Sequence, residues 1–210
     1  MAKIIKNIIF DLGGVLLNID YDLTLQAFQK LGIKNFDQFY SQAKQSAIFS
    51  LLETGKISAD MFCNEIRIIG EISSANNDII NAWNSMLLDF PQERFDFLQM
   101  IKERYNSFLL SNTNSIHLKA LNKIILEKNN VSTLDSYFLE TYYSHEIGLR
   151  KPHPETFQHV IDANNLNPES TLFIDDSIQH VHGARALGIQ SLLLDTNKET
   201  VITKLRFLLA

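Results

Sequence analysis

The chain has 210 residues, 45% of them hydrophobic and 20% charged, with a formal net charge of −5. That length holds one large domain, or a core domain with a smaller insertion. The acidic balance and the absence of a basic run exclude a general nucleic-acid or membrane-surface binder, so any anionic ligand must be met at one local pocket.

Residues 4–17, IIKNIIFDLGGVLL, form an apolar run that ends in one carboxylate, Asp11, with Gly13 and Gly14 close behind. The glycines let the backbone turn sharply beside the aspartate. A strand followed by Asp and Gly is ordinarily a plain turn, but the carboxyl end of a parallel strand is also where open α/β sheets bind ligands. Helices are predicted over 22–31, ended by Gly32, and over 35–52, stopped near Thr54 and Gly55. Two more follow at 59–69, capped by Ser58 and ended by Gly70, and at 74–88, where Ile79, Ile80, Trp83 and Leu87 share a face. Cys63, the single cysteine, excludes an internal disulfide, fits a reducing compartment and reads as a small buried apolar residue. The apolar runs near the amino terminus are too short for a signal peptide or a membrane span, so a cytoplasmic location is expected.

Past residue 90 the pattern changes. Pro91 opens a helix over 91–104, followed by a strand at 107–110 and a helix at 116–126. A strand at 138–143, a helix at 153–164, a strand at 171–174, a helix at 178–187 and a strand at 191–194 complete the alternation before a last helix at 198–208. Strands alternating with helices predict an α/β fold with a doubly wound, mainly parallel, Rossmann-like sheet. Its core would be residues 1–17 and 91–210, with a small helical unit of residues 18–90 inserted after the first strand.

Three further strand ends carry polar groups. Ser111, Asn112, Thr113 and Asn114 follow one strand, where a hydroxyl and free backbone N–H groups suit either an anion or a helix cap. Lys151 sits in Arg-Lys-Pro-His-Pro, and prolines 152 and 154 are expected to hold the backbone extended and fix where it points. Asp175 and Asp176 end another buried run, and two adjacent carboxylates there need a cation or strong hydrogen bonds, for which a hard ion such as Mg2+ is the economical partner. A doubly wound sheet brings these strand ends to one crevice. A carboxylate, an anion cradle, a cation and a metal-binding acidic pair are the equipment of phosphoryl transfer.

The four elements FDLGGVL, LLSNTN, LRKPHPETF and FIDDS, in that order and with GARALGI after them, resemble the haloacid dehalogenase-like hydrolase superfamily along essentially the whole chain. Their wording is most similar to the branch with a helical cap after the first strand, and within it to bacterial sugar-phosphate phosphatases of the glucose-1-phosphate phosphatase type. The resemblance implies that Asp11 attacks phosphorus and carries a transient aspartyl phosphate. It implies phosphate binding by Ser111 and the Asn112 N–H, and neutralisation by Lys151. Mg2+ would be held by Asp11, the Gly13 backbone carbonyl and Asp176, with Asp175 binding directly or through a neighbour, while the cap closes over a small phosphorylated metabolite.

One position departs from the pattern. Most phosphatases of the superfamily carry an acid–base aspartate two residues after the nucleophile, and here that residue is Gly13. Such a group contributes about 10²–10⁴-fold. Either a good leaving group needs little help, or Asp20 or Asp22 substitutes, or the protein is a slow enzyme or a silent phosphate- or protein-binding module. A metal-independent dehalogenase is the less favoured reading, because it has no need of the Asp175–Asp176 pair. His180 and His182 point to different helix faces, which is poor metal geometry, and His180 is expected near the site. Tyr21, Phe49, Met61, Phe62 and Trp83 are candidates to line a substrate pocket or, equally, to pack as core.

Overall fold

The computed structural model describes residues 4–34, 36 and 47–208. Its sheet grows from the most apolar run of the chain. β1 (Asn7–Phe10) is buried at every position, as a strand covered on both faces must be. It lies between β2 (Asn106–Ser111) and β4 (Thr171–Asp175), with β3 (Glu140–Tyr143) and β5 (Gln190–Leu193) outside them. The order is β3-β2-β1-β4-β5 and every pairing is parallel, which gives the doubly wound sheet expected from the sequence. Phe10 stands level with Leu109 and Ile174, so the residues that follow leave three adjacent strands side by side. The strand order reverses at β1, where such sheets open a crevice.

Four helices stand between β1 and the second strand's own leading helix: α1 (Tyr21–Lys30), α2 (Ala47–Glu53), α3 (Ala59–Gly70) and α4 (Asn76–Asn84). The chain continues through α5 (Gln92–Lys102), α6 (Ser115–Asn129), α7 (Ser144–Ile147), α8 (Pro154–Ala163), α9 (Ile178–Arg185) and α10 (Val201–Lys204). Alternate strand residues face opposite layers. Ile8, Phe10, Leu109 and Ile174 pack against Phe97 and Leu98 of α5 and Ile125 of α6. Ile9, Leu110 and Phe173 pack against Phe157 and Val160 of α8 and Ala184 of α9. Helices α1 to α4 share a separate cluster built on Phe28, Phe36, Phe49, Phe62 and Trp83, with Phe28 stacked 4.1 Å from Phe36. Phe49, Phe62 and Trp83 are thus core, Met61 is 53% exposed, and Cys63 is fully buried.

The chain leaves β1 and returns to α5 through two clasped segments. Asn18 N–H donates to the Asp89 carbonyl (2.9 Å), Leu88 N–H to Asn18 (3.0 Å), and Asp20 N–H to Met86 (2.9 Å). This clasp explains why the helix predicted over 74–88 stops at Asn84: residues beyond it give their backbone groups to a partner strand. Of the helix predicted over 35–52, the end is α2, while residue 35 and residues 37–46 lie outside the described residues. The strand predicted from 138 begins at Glu140, because a 3-10 turn at Asp135–Tyr137 precedes it. The last predicted helix shrinks to α10, which starts at a Thr200–Thr203 capping box, and a 3-10 turn at Arg206–Leu208. The four-residue α7 was too short to show periodicity.

Candidate active site

Asp11, Ser111 and the Asp175–Asp176 pair stand at the carboxyl ends of β1, β2 and β4, and Lys151, which follows α7, joins them. Lys151 is fully buried, and its Nζ lies 2.6 Å from Asp11 Oδ1 and 2.8 Å from Asp175 Oδ2. A buried ammonium between two carboxylates is held by short, charge-assisted bonds. The lysine is presented by Asn112, whose side chain accepts from Lys151 N–H (2.9 Å) and donates to its carbonyl (2.8 Å). The backbone here is a turn rather than the extended chain expected from the prolines. His153 N–H closes it onto the Arg150 carbonyl (3.2 Å), and the Lys151–Pro152 peptide is cis. The expectation failed because it weighed the prolines' local preference alone and missed the clamp made by Asn112.

Asp175 is committed on both oxygens. Oδ2 takes Lys151, while Oδ1 accepts from Ser177 N–H (2.8 Å) and lies 2.9 Å from His180 Nδ1. Burial pushes this carboxyl up, but the charge of Lys151 and the His180 contact outweigh it and hold Asp175 below its ordinary range. Burial also lowers Lys151, and the Asp11 and Asp175 charges more than reverse this. Burial and then the Asp175 charge push Asp11 up, against the pull of Lys151 and His180.

Asp11, Asp175 and Asp176 each offer a carboxylate oxygen, and these atoms lie within 4.8 Å of one another. An all-oxygen set of this charge suits Mg2+. The glycines next to Asp11 now have distinct reasons. Gly14 has φ +77°, and a Cβ there would collide with the Asp176 carboxylate. Gly13 has ordinary φ, and a Cβ would meet Ile19 Cδ1 at 3.2 Å, so an apolar side chain crowds the place where an aspartate would stand.

Above these groups lies a cavity of about 100 Å³. Asp11, Gly13, Ser111, Asn112 and Asp176 form its floor, and Ser111 is itself buried at the end of β2. The loop after Ser111 is fixed by Ser144, which accepts from Thr113 N–H (2.9 Å) and donates to its carbonyl (2.8 Å), and by Asn114, which caps α6. His180 lines the cavity as expected. Asp20 and Asp22 do not: Asp20 is the N-cap of α1, accepting from Asp22 N–H (2.9 Å), and Asp22 is exposed. A helix start needs an acceptor, and Asp20 meets that need. Tyr21 between them does reach the cavity, where burial and the Asp176 and Asp11 charges keep its phenol protonated.

Three polar cavity residues were missed. Glu53, 5% exposed at the end of α2, pairs with Arg150 (Oε2 to NH2, 2.9 Å). A glutamate on an amphipathic helix gives no sign of burial, although Arg150 adjoins a singled-out lysine. His117, in the first turn of α6, stacks on Trp83 (4.6 Å, 18°) and places Nε2 3.1 Å from the Trp83 carbonyl. A carbonyl only accepts, so Nε2 carries the proton. Burial lowers this histidine to about 4.

The chain is similar to known proteins over nearly its whole length. Residues 5–188 match the haloacid dehalogenase-like hydrolase family. The D-ribitol-5-phosphate phosphatase of Bacteroides thetaiotaomicron is 32% identical over 187 residues, 89% of this chain and 90% of its own. A crystal structure of a family enzyme from the same organism, in complex with magnesium and inorganic phosphate, superposes with TM-score 0.81 at 35% identity, covering 93% of this chain and 96% of that one. A HAD-like family hydrolase from Porphyromonas gingivalis superposes with TM-score 0.87 at 30% identity over 98% of both chains.

Proposed function

The chain belongs to the haloacid dehalogenase-like hydrolase family, and we propose that it is a magnesium-dependent phosphatase that frees inorganic phosphate from a small sugar or sugar-alcohol phosphate. The observation that carries this reading is the buried Lys151 held between Asp11 and Asp175 beside Asp176. In the proposed reaction an Asp11 oxygen attacks phosphorus as the bond from phosphorus to the ester oxygen breaks, the departing oxygen takes a proton from solvent water, and an aspartyl phosphate forms on Asp11. Water then attacks that phosphorus and restores the carboxylate. Lys151 holds Asp11 through Oδ1 and offsets its charge as the phosphate approaches. Ser111 Oγ and the Asn112 N–H bind phosphate oxygens. Asp11, Asp176 and the Gly13 carbonyl would hold Mg2+, with Asp175 acting through Lys151 and His180. When bound, the ion would neutralise charge on phosphate oxygens. The helical unit of residues 18–90 serves as the cap that shapes the leaving-group pocket.

Support for the sugar or sugar-alcohol ester comes from the named relative, whose substrate is the phosphate of an open-chain polyol. Gly13, crowded by Ile19, favours a second reading in which phosphate is bound but turned over slowly. Phosphate release from a panel of such esters, with Mg2+ and then with chelator, tests the first reading. Chelation and Asp11→Asn are each expected to lower turnover by at least about 10³-fold. Activity that survives both ends this mechanism, and phosphate binding without release on the whole panel selects the second reading.

A further inference from the structure

We propose that His117 reads the alcohol of the substrate: its Nδ1 accepts a hydrogen bond from a leaving-group hydroxyl and so favours esters of polyols over esters of plain alkyl alcohols. This rests on the phosphatase reading above and adds to it a residue that sets the substrate class.

His117 belongs to the segment that carries the phosphate cradle. It stands in the first turn of α6, where its N–H donates to Asn114 Oδ1 (3.0 Å), so the cap that shapes the loop after Ser111 also fixes the histidine backbone. The ring is held as firmly. One face lies on the Trp83 indole, and Nε2 donates to the Trp83 carbonyl (3.1 Å). That carbonyl also accepts from Thr24 Oγ1 (3.1 Å), which in turn accepts from Met86 N–H (3.1 Å). Thr24 and Trp83 are fully buried, so a ring turned over would aim carbon at a buried oxygen and lose the bond.

Pinning Nε2–H decides what the other nitrogen does. A neutral imidazole with its proton on Nε2 carries a lone pair on Nδ1, which can only accept. Burial keeps the ring neutral at pH 7 by lowering it to about 4. Nδ1 has no hydrogen-bond partner among the described residues, yet it is not sealed from solvent as the buried partnerless atoms elsewhere in the chain are. The opening it meets is the cavity that the ring lines together with Asp11, Ser111 and Asn112. An acceptor so placed calls for a donor from the ligand. The phosphate is the wrong partner, because a monoester with a second pKa of about 6 is largely a dianion at pH 7 and presents acceptor oxygens alone. Mg2+ is a hard ion that takes oxygen, and the Asp11, Asp175 and Asp176 set supplies it. Of the parts of a phosphate ester, an alcohol hydroxyl is the donor that remains. Leu87 and Leu121 line the same cavity and offer apolar surface to the carbon skeleton.

Glycerol 3-phosphate and propyl phosphate, which share a carbon count and differ in hydroxyls, test this with Mg2+ present. Wild type should favour the glycerol ester in kcat/KM by at least about fivefold, the scale of one hydrogen bond. His117→Gln keeps a donor for the Trp83 carbonyl but has no acceptor at the δ position. In that variant the preference should vanish, chiefly through a higher KM for the glycerol ester. His117→Asn does the reverse, since its Oδ1 takes the place of Nδ1 while nothing reaches Trp83. It should keep the preference and unfold at a lower temperature. A preference that survives in His117→Gln, or a loss shared equally by both esters, overturns the proposal, because a merely structural histidine would lower both alike. Should His117→Gln not fold, a preference lost in His117→Asn overturns it as well. Wild type also decides without any variant: equal rates on the two esters sink the role of His117 alone, whereas no release from either ester sinks the phosphatase reading with it.

Discussion

The strand ends and the helical unit solve opposite problems. At the strand ends, charge is buried against charge: Lys151 satisfies two carboxylates, Asp175 binds lysine, backbone N–H and histidine, and Asn112 holds the Lys151 backbone through both its oxygen and its nitrogen. The helical unit has its own aromatic cluster. It meets the sheet domain through a short clasp, through polar contacts including Glu53–Arg150 and Trp83–His117, and through Ile116 of α6, which packs into its cluster. One region is a network in which no member can change alone. The other is a packed body with an apolar core of its own.

The largest effect should come from breaking the network. Lys151→Met would leave Asp11 and Asp175 buried without a counter-charge, and denaturant titration should show a loss of about 4 kcal/mol together with loss of turnover. A smaller effect tests the boundary between the regions. His117 is held neutral in the folded protein, near 4, against an ordinary 6.5. The unfolded chain thus binds more protons between those values, so stability is complete above pH 6.5 and falls as pH drops toward 4, by about 3 kcal/mol at 1.36 kcal/mol per unit. Denaturation of wild type against His117→Gln across that range isolates the slope, and parallel curves would refute it.

The smallest effect concerns Gly13. Because Ile19 crowds its Cβ position, Gly13→Asp alone should change kcat/KM on alkyl esters by less than about tenfold, whereas Gly13→Asp with Ile19→Ala should approach the lower end of the 10²–10⁴ range for acid catalysis. A large gain from the single change would show that Ile19 does not obstruct.

These differences also mark what the sequence could tell. Asp11, Ser111, Lys151 and the Asp175–Asp176 pair were legible because each ends a buried apolar run or adjoins proline, and parallel strands force such ends together. The helical unit was legible as helices from its periodicity and glycine stops. Of its contribution to the cavity, Tyr21 was named as a candidate but Glu53 was not, since it looks like any solvated helix glutamate until α2 is docked. Asp20 and Asp22 looked available as acids because sequence shows a carboxylate but not its hydrogen-bond duty, here an N-cap. The side-chain work of Asn112 was hidden for the same reason: its partner is 39 positions away.

The clasp at Asn18 and Met86–Asp89 also bears on how the chain reaches its native topology. β1 and β2 are neighbours in the sheet, yet Phe10 and Asn106 enclose a long stretch of chain. If the clasp forms first, it short-circuits that stretch from roughly 96 residues to roughly 25, and the logarithmic cost of loop closure falls by about 1 kcal/mol. Early assembly of the helical unit would thus bring the two central strands within reach of each other, so the inserted segment eases formation of the sheet that it interrupts.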